Sequence, residues 1–564
     1  MERHWLERDV SLGSTAALAA LAIALLPGTA AAATPCACDH VVDNNLTVVN
    51  GGDLGVKPGE SVCIRGGPRP ALRLQNFQGA DGSPIEVHNC EGQVDINNDD
   101  LGYGLTVDGS RYVHVSGAGD DEFEYGFKVR AARKGPDYSG SGVLVGNLSS
   151  DVEVDHVEAY ETGFAGFIFK TDPVCDGSAN LGNFVMYNSK LHHSWAHDTG
   201  GEGLYFGSTG YGGREYTCDG KKVLLYPHEH HGADIHDNIF ERTDWDGAQI
   251  GVTPIDCHFY KNIIRDVGLA GELYQQQGFQ LGGASACEVH SNTLLRGPTN
   301  GLFIFGTGDT TIYNNVISEF SDTGIYINDQ GLDLGAKIRV AHNTVLHTGG
   351  WGIAVFGDKL GSGWAYNNAV ADAAMDFIGI GGDVVDFPAM GNLTADDPVT
   401  IGAEVEGLFD PDAPLRDAGL PLPDLMVTVD RNGVVRDALA DVGAHEYEPV
   451  GDTQGETGQN PTESDTASTT DATSTTDATG STGGTGTSGG ETGSGGESST
   501  GSTGGGTEGS AGSTGPGDGS ATTGGGDEDL DDSGCSCTSD GGAPAWGALS
   551  LPALLLLRTR RRAG

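Results

Sequence analysis

From about residue 40 to residue 448 the chain is written in short alternating runs. Gly301-Leu-Phe-Ile-Phe305, Gly324-Ile-Tyr-Ile-Asn328 and Gly352-Ile-Ala-Val-Phe356 each open on glycine and carry large residues in alternating register. Related runs lie upstream: Gly104-Leu-Thr-Val107, Gly126-Phe-Lys-Val129, Gly166-Phe-Ile-Phe169 and Gly203-Leu-Tyr-Phe206. A period of two places one side-chain set inside and the other outside, as in a strand. The runs are too short, and too punctuated by glycine, for helices. Roughly ten residues ahead of such a run comes another apolar strand that closes on asparagine, as in Val289-His-Ser-Asn292, Ile312-Tyr-Asn-Asn315 and Val340-Ala-His-Asn343.

These asparagines recur at a nearly fixed step. Asn238, Asn262, Asn292, Asn315, Asn343, Asn368 and Asn392 are separated by 24, 30, 23, 28, 25 and 24 residues. Self-similarity at about 25 residues, with two or three strands per repeat, predicts stacked turns of a parallel β-solenoid. An inward-facing asparagine at a bend can satisfy backbone groups that the bend leaves unpaired, and equivalent amides on neighbouring turns can bond one another. The pattern resembles the right-handed parallel β-helix superfamily, which includes pectate lyases and many surface proteins. The fold class implied is all-β: a single-stranded right-handed parallel β-helix, followed by a disordered low-complexity tether and a short C-terminal hydrophobic segment.

The ends divide the chain further. Residues 1–33 read as a signal peptide, with Arg3 and Arg8 before the apolar run Ala16–Leu26 and the small residues Ala31-Ala-Ala33 at a cleavage site. Residues 34–130 are expected to hold an N-terminal cap and the first rungs, 131–400 the regular repeats, and 401–450 a C-terminal cap. That last stretch, with Asp410-Pro-Asp-Ala-Pro-Leu-Arg-Asp-Ala-Gly419, Asp430-Arg-Asn-Gly-Val-Val-Arg436 and Asp441-Val-Gly-Ala-His-Glu446, resembles the terminal segment of many bacterial β-helix proteins and is expected to cover the last rung. Residues 451–534 are Gly, Ser, Thr, Asp and Glu with few apolar residues, the composition of a flexible tether. Residues 535–564 hold the end of Gly534-Cys-Ser-Cys537, an apolar run Ala543–Leu557 and the cluster Arg560-Arg-Arg562. In that order they resemble the MYXO-CTERM sorting signal of myxobacteria, which implies processing near Cys535 and Cys537 and display at the cell surface. The implied partners are a signal peptidase and a C-terminal sorting protease, and the expected oligomeric state is a monomer.

Export makes disulfides plausible, and eight of the ten cysteines lie in the exported body. Cys257 and Cys287 each precede a ladder asparagine by five residues, so they should meet on adjacent rungs at the ~4.8 Å strand spacing. Cys175 with Cys218 and Cys63 with Cys90 are the next expected pairs, leaving Cys36 and Cys38 to pair locally or stay free. A net charge of −49 argues against nucleic acid and anionic membranes as partners.

Candidate chemistry comes from aligning the rungs. One outward column reads Lys128, Ile168, Tyr205, Gln249, Gln280, Phe303, Tyr326. Rings and amides on a flat face suit a sugar polymer, so Tyr205, Gln249, Gln280, Phe303 and Tyr326 are expected to bind substrate. The column just before the glycines places Glu202 beside Asp246. Carboxyls about 5 Å apart can serve as acid and nucleophile in a glycosidase. Asp198, Glu202, Asp244 and Asp246 could instead hold Ca²⁺. Histidines crowd the same region: His192, His193, His197, His228, His230, His231 and His236. His197, Asp198, Lys170 and Arg242 join Glu202 and Asp246 as candidate catalytic groups, able to move a proton beside a uronate or neutralise its charge, with Arg214 nearby. Two long excursions, Thr171–Gly182 and Ser208–Gly232, leave consecutive rungs and should rise on one side of the groove. The signatures of known families are incomplete. Asp155-His156 matches the D-H dipeptide of a pectate-lyase family, whose R-x-P-x-x-R is missing, and the G-H-G and R-I-K of polygalacturonases are also missing. Two functions stay open: an extracellular polysaccharide lyase or glycoside hydrolase, and a non-catalytic adhesin or glycan-binding module.

Overall fold

The computed structural model describes residues 36–134, 139–305, 308–328, 336–357, 362–381, 387–405 and 412–447. The expected signal peptide (1–33), tether (451–534) and sorting segment (535–564) with Cys535 and Cys537 lie outside the described residues. The described chain winds as a parallel β-solenoid. Its strands form one sheet of 12 strands and one of 23, parallel throughout. A two-stranded antiparallel hairpin, Arg214–Cys218 with Lys221–Leu225, stands apart from both. Each full turn gives one strand to the shorter sheet and two to the longer, as in Cys287–His290, Thr293–Gly297 and Leu302–Phe305. The only α-helix among the described residues is the single turn Gly51–Leu54.

The asparagine ladder sits at the bend between the two strands that each turn gives to the longer sheet. Asn238 Nδ2 donates to Asn262 Oδ1 at 3.0 Å, and Asn262, Asn292, Asn315, Asn343 and Asn368 each donate in the same direction at 2.9–3.1 Å. Each Oδ1 also accepts the backbone N–H of the previous asparagine. The residue before each asparagine is left-handed: Asp237, Lys261, Ser291, Asn314, His342 and Asn367 have φ of 51–57°, and Gly391 has φ 67°. Each such non-glycine residue costs roughly 1–2 kcal/mol, which the amide ladder offsets by pairing the groups that the bend exposes. The ladder extends one rung upstream through serine: Ser194 N–H donates to Asn238 Oδ1 and Ser194 Oγ accepts from Val157 N–H. Inside the bends run apolar columns, such as Leu191, Ile235, Phe259, Val289, Ile312 and Val340, all fully buried and in register.

Three expectations are corrected. Cys63 does not pair with Cys90: the disulfides are Cys36–Cys90 and Cys38–Cys63, beside the anticipated Cys175–Cys218 and Cys257–Cys287. Cys36 and Cys38 are neither free nor a local pair but pin the start of the described chain to the first rungs. Rungs begin at once, since His40–Val42 already pairs with Val62–Ile64. Lys128 is not in the column of Tyr205. Its glycine-led strand belongs to the longer sheet, where Lys128 aligns with Glu158. Finally, the segment 412–447 does not simply cover the last rung. It runs back along the bend edge, where Leu415 and Val442 pack on Leu346, Ala369 and Ala371, Arg436 donates to Asn314, and Arg431 reaches Thr293.

Candidate functional site

The outward column of the shorter sheet is in the expected register from Ile168 through Tyr205, Gln249, Gln280 and Phe303 to Tyr326. Its first half is not an open face. Tyr205 is 4% exposed, Gln249 2% and Gln280 6%, whereas Phe303 and Tyr326 are half-buried. Phe164 and Trp245 pack beside Tyr205 and Ile168. The excursion after Gly207 covers the rest. Thr209 Oγ1 lies 3.3 Å from the Tyr205 hydroxyl, and Tyr211 sits over Gly283, where a Cβ would come within 2.3 Å of its ring. The two excursions rise together as expected, tied by Cys175–Cys218 and by the bond from Leu181 N–H to Tyr226 O. Arg214, on the hairpin, donates to Thr209 Oγ1.

Beside this column Glu202 and Asp246 occupy adjacent rungs, shown by the bond from Gly203 N–H to Asp246 O. Both are sealed, at 1% and 0% exposure. Gln280 Nε2 donates to Gln249 Oε1 at 3.2 Å, and Gln249 Nε2 donates to Glu202 Oε1 at 2.8 Å. Asp246 Oδ1 accepts from Gln277 N–H at 2.6 Å. The remaining oxygens, Glu202 Oε2 and Asp246 Oδ2, have no partner among the described residues. Burial pushes the Glu202 carboxyl up to about 8. Burial, with the Glu202 charge beside it, raises Asp246 well above the carboxylate range. Glu202 therefore holds its proton at neutral pH. Lys170 is buried over the Tyr205 ring, its Nζ 4.6 Å from the centroid, and pairs with Asp172 at 2.9 Å. His228 is buried beyond Lys170: its Nε2 accepts from Thr171 N–H at 3.0 Å and burial lowers its pKa. His230 faces the core beside Phe206, with neither ring nitrogen bonded among the described residues.

The other candidates lie elsewhere. His197, Asp198 and Arg242 are on the longer sheet, in a separate ionic network. His197 stands between Asp198 (2.6 Å) and Glu158 (3.2 Å), and Arg242 grips Asp198 through two bonds of 2.9 and 3.0 Å. The Arg242 bonds hold the Asp198 pKa below its usual range. The proposed Ca²⁺ set does not fit. Asp198 is committed to Arg242, Glu202 and Asp246 favour the protonated form, and Asp244 is not drawn into a cluster of ligand atoms with them. Ca²⁺ asks for six to eight converging oxygens, which these residues do not present.

Two features escaped the sequence reading. Two residues ahead of each ladder position runs a column of rings on the outer face of the longer sheet: His192, His236, Tyr260, His290 and Tyr313. They stack at centroid spacings of 4.9, 4.8, 4.9 and 4.6 Å. The fixed offset from the asparagines was the signal for it. At its N-terminal end His114, Glu153 and Asp155 converge with His192, and irregular spacing hid that group.

Comparison with known proteins addresses the architecture. The family described as a right-handed beta helix region matches residues 228–370. The fold is a right-handed parallel β-helix. Solved structures of similar shape include pectate lyase Pel9A, with TM-score 0.41 and 12% identity over 73% of this chain and 97% of that one. The periplasmic alginate epimerase AlgG gives 0.35 and 12% over 63% and 84%. The alginate lyase of Paenibacillus sp. str. FPU-7 gives 0.34 and 13% over 61% and 98%. The likeness is one of fold alone. No curated protein matches the chain.

Proposed function

We propose that this is an exported, cell-surface β-helix protein that acts on an extracellular acidic polysaccharide, as a lyase or glycoside hydrolase, along the outer face of its shorter sheet. One observation carries the reading. A single column joins half-open rings, Phe303 and Tyr326, to buried amides that lead by hydrogen bonds to a protonated acid: Gln280, Gln249, Glu202. The rings offer apolar area to sugar faces. The amide donors and the Glu202 proton suit a uronate carboxylate, or a glycosidic oxygen that must take a proton as its bond breaks. Lys170 supplies the positive charge beside Tyr205. Four disulfides support an oxidising destination. In this reading residues 1–33 are removed on export, and processing near Cys535 leaves the body on its tether.

For this chemistry the excursion over Tyr205 must open. That need favours a second reading, a glycan-binding module without catalysis, in which only the half-open rungs at Phe303 and Tyr326 meet the polymer. A panel of uronic-acid polysaccharides separates the two. Ultraviolet absorbance of an unsaturated product, or new reducing ends, supports the enzyme. Their absence with and without Ca²⁺, together with retention of the protein on an immobilised polysaccharide, supports the binding module. Absence of both products and retention overturns the polysaccharide reading altogether.

A further inference from the structure

On the outer face of the longer sheet, neighbouring rungs bring two histidines and two carboxylates to one point. His114 aligns with Glu153 across one strand spacing, and Asp155 aligns with His192 across the next. Ligand atoms of His114, Glu153 and Asp155 lie within 4.8 Å of one another. His192 faces the same pair: its Nε2 is 3.0 Å from Glu153 Oε1 and 3.9 Å from Asp155 Oδ2. His114 Nε2 is 3.9 Å from that Glu153 oxygen and in close contact with that Asp155 oxygen. Both imidazoles thus aim Nε2 at the same two oxygens.

These separations have a chemical meaning. Tetrahedral bonds of about 2.0–2.2 Å set ligand atoms roughly 3.3–3.6 Å apart. The 3.0 and 3.9 Å separations straddle that range, and the His114–Asp155 contact needs only to open slightly. The surrounding groups orient the ligands. His114 Nδ1 meets Glu86 Oε2 at 2.6 Å. Asp155 Oδ1 accepts from Ser116 Oγ at 2.6 Å and meets His156 Nδ1 at 2.5 Å. A carboxylate on the far nitrogen of an imidazole fixes the tautomer that ligates through Nε2. His114, Glu153, Asp155 and His192 all sit on strands, which hold a site more closely than loops. Asp155 is buried, while Glu153 and Glu86 keep access to solvent, so an ion has a way in.

We propose that His114, Glu153, Asp155 and His192 bind a divalent transition-metal ion of the zinc class. A mixed imidazole and carboxylate set suits Zn²⁺ and its neighbours, not the all-oxygen shell of Ca²⁺. The site is independent of the polysaccharide reading and lies on the longer sheet, whereas Glu202 sits in the bend before a strand of the shorter one.

The test uses the full-length protein, stripped of metal and titrated with Zn²⁺ by calorimetry and with Co²⁺ by visible absorption. Tetrahedral Co²⁺ absorbs far more strongly than octahedral Co²⁺. One tight ion per chain with tetrahedral Co²⁺ bands is expected. Replacing both His114 and His192 by alanine should abolish it, with circular dichroism verifying the fold. Glu86→Gln, which leaves all four ligands in place, should weaken binding about 10–100-fold. His258→Ala should change nothing, although His258 stands further along the His114 column with Asp256 at 3.1 Å. Octahedral Co²⁺ bands, unchanged binding in the double variant, or equal loss in His258→Ala would reduce the site to adventitious binding by surface histidines and overturn the proposal.

Discussion

Gln249 Nε2 donates to Glu202 Oε1 at 2.8 Å, while the other Glu202 oxygen has no partner among the described residues. The acid is thereby given one donor and no countercharge in contact, inside a site closed to water. Burial raises its pKa from 4.5 to about 8. Below pH 4.5 the folded and unfolded chains both carry this proton. Between pH 4.5 and 8 only the folded chain does, so its stabilising contribution falls as pH rises and is gone above about 8. The expected slope is about 1.4 kcal/mol per pH unit from this group. Glu202→Gln keeps the shape and an acceptor for Gln249 and removes the titration. Thermal midpoints measured from pH 5 to 8 should fall less steeply in this variant, and it should be the more stable protein at pH 8. Parallel pH profiles would show that Glu202 is not the buried acid described.

The asparagine ladder predicts a difference between its middle and its end. Asn315 Oδ1 accepts from Asn292 N–H and Nδ2, and its own Nδ2 donates to Asn343 Oδ1 and Val289 O. Asn315→Ala leaves several buried groups unpaired, at roughly 1–3 kcal/mol for each group stranded. Asn392, partly buried at the far end, has no further asparagine to donate to among the described residues and keeps only the carbonyl bond, to Ala365 O. Asn392→Ala should therefore cost clearly less. Urea midpoints of the two variants decide it, and equal losses would mean that the ladder is not a chain of mutually dependent bonds.

The same contrast explains what the sequence reveals. A ladder asparagine must appear on every turn, so its spacing is visible, and counting from it correctly places Cys257 on Cys287 and Glu202 beside Asp246. Where the ladder is absent the count fails. Cys36, Cys38, Cys63 and Cys90 all precede its first member, so the true pairs Cys36–Cys90 and Cys38–Cys63 could not be counted from it. Lys128 follows a glycine like the others, yet its strand serves the longer sheet, because two strand types share one local pattern. Burial of Tyr205 was also illegible: alternation shows which face a residue takes, but not whether an excursion 208–226 folds back over it. The His114 group stayed hidden because excursions of unequal length put Glu86 28 residues before His114 and Glu153 39 before His192.

Removing the Cys175–Cys218 bond should loosen the cover rather than the body. The bond joins two excursions outside the stacked rungs, whereas Cys257–Cys287 links neighbouring rungs at the core. Replacing Cys175 and Cys218 by serine should leave the main thermal midpoint within a few degrees and speed protease cleavage within 209–226. Hydrogen exchange at Tyr205 to Gly207 and Gln249 to Gly251 should rise with it. If the excursion is the gate to the pocket, any polysaccharide activity should also rise. Unchanged cleavage would mean that Tyr211 and Thr209 hold the cover without the disulfide.

The C-terminal cap is expected to release in acid through His342. This buried ring contacts Asp441 O through Nδ1 at 3.0 Å and Asn367 Nδ2 through Nε2 at 3.1 Å. Nδ1 therefore donates and Nε2 accepts, which only the neutral ring can do. Burial, reinforced by Arg436, lowers its pKa from 6.5 to about 3. The unfolded chain takes up a proton below pH 6.5 and the docked cap refuses it, so the stabilisation is complete above pH 6.5 and is lost as pH falls toward 3. Trp364 reports the docking, because its Nε1 donates to Asp424 Oδ1 of the cap at 2.9 Å. The fluorescence difference between wild type and Trp364→Phe isolates that ring from the other five tryptophans. Its emission should move to the red as pH drops from 6.5 toward 3, before the far-ultraviolet dichroism of the rungs is lost. His342→Gln, which retains an acceptor and a donor without the titration, should move that change to lower pH. If the emission and the dichroism change together in both proteins, the cap and the rungs unfold as one unit and His342 does not control the release.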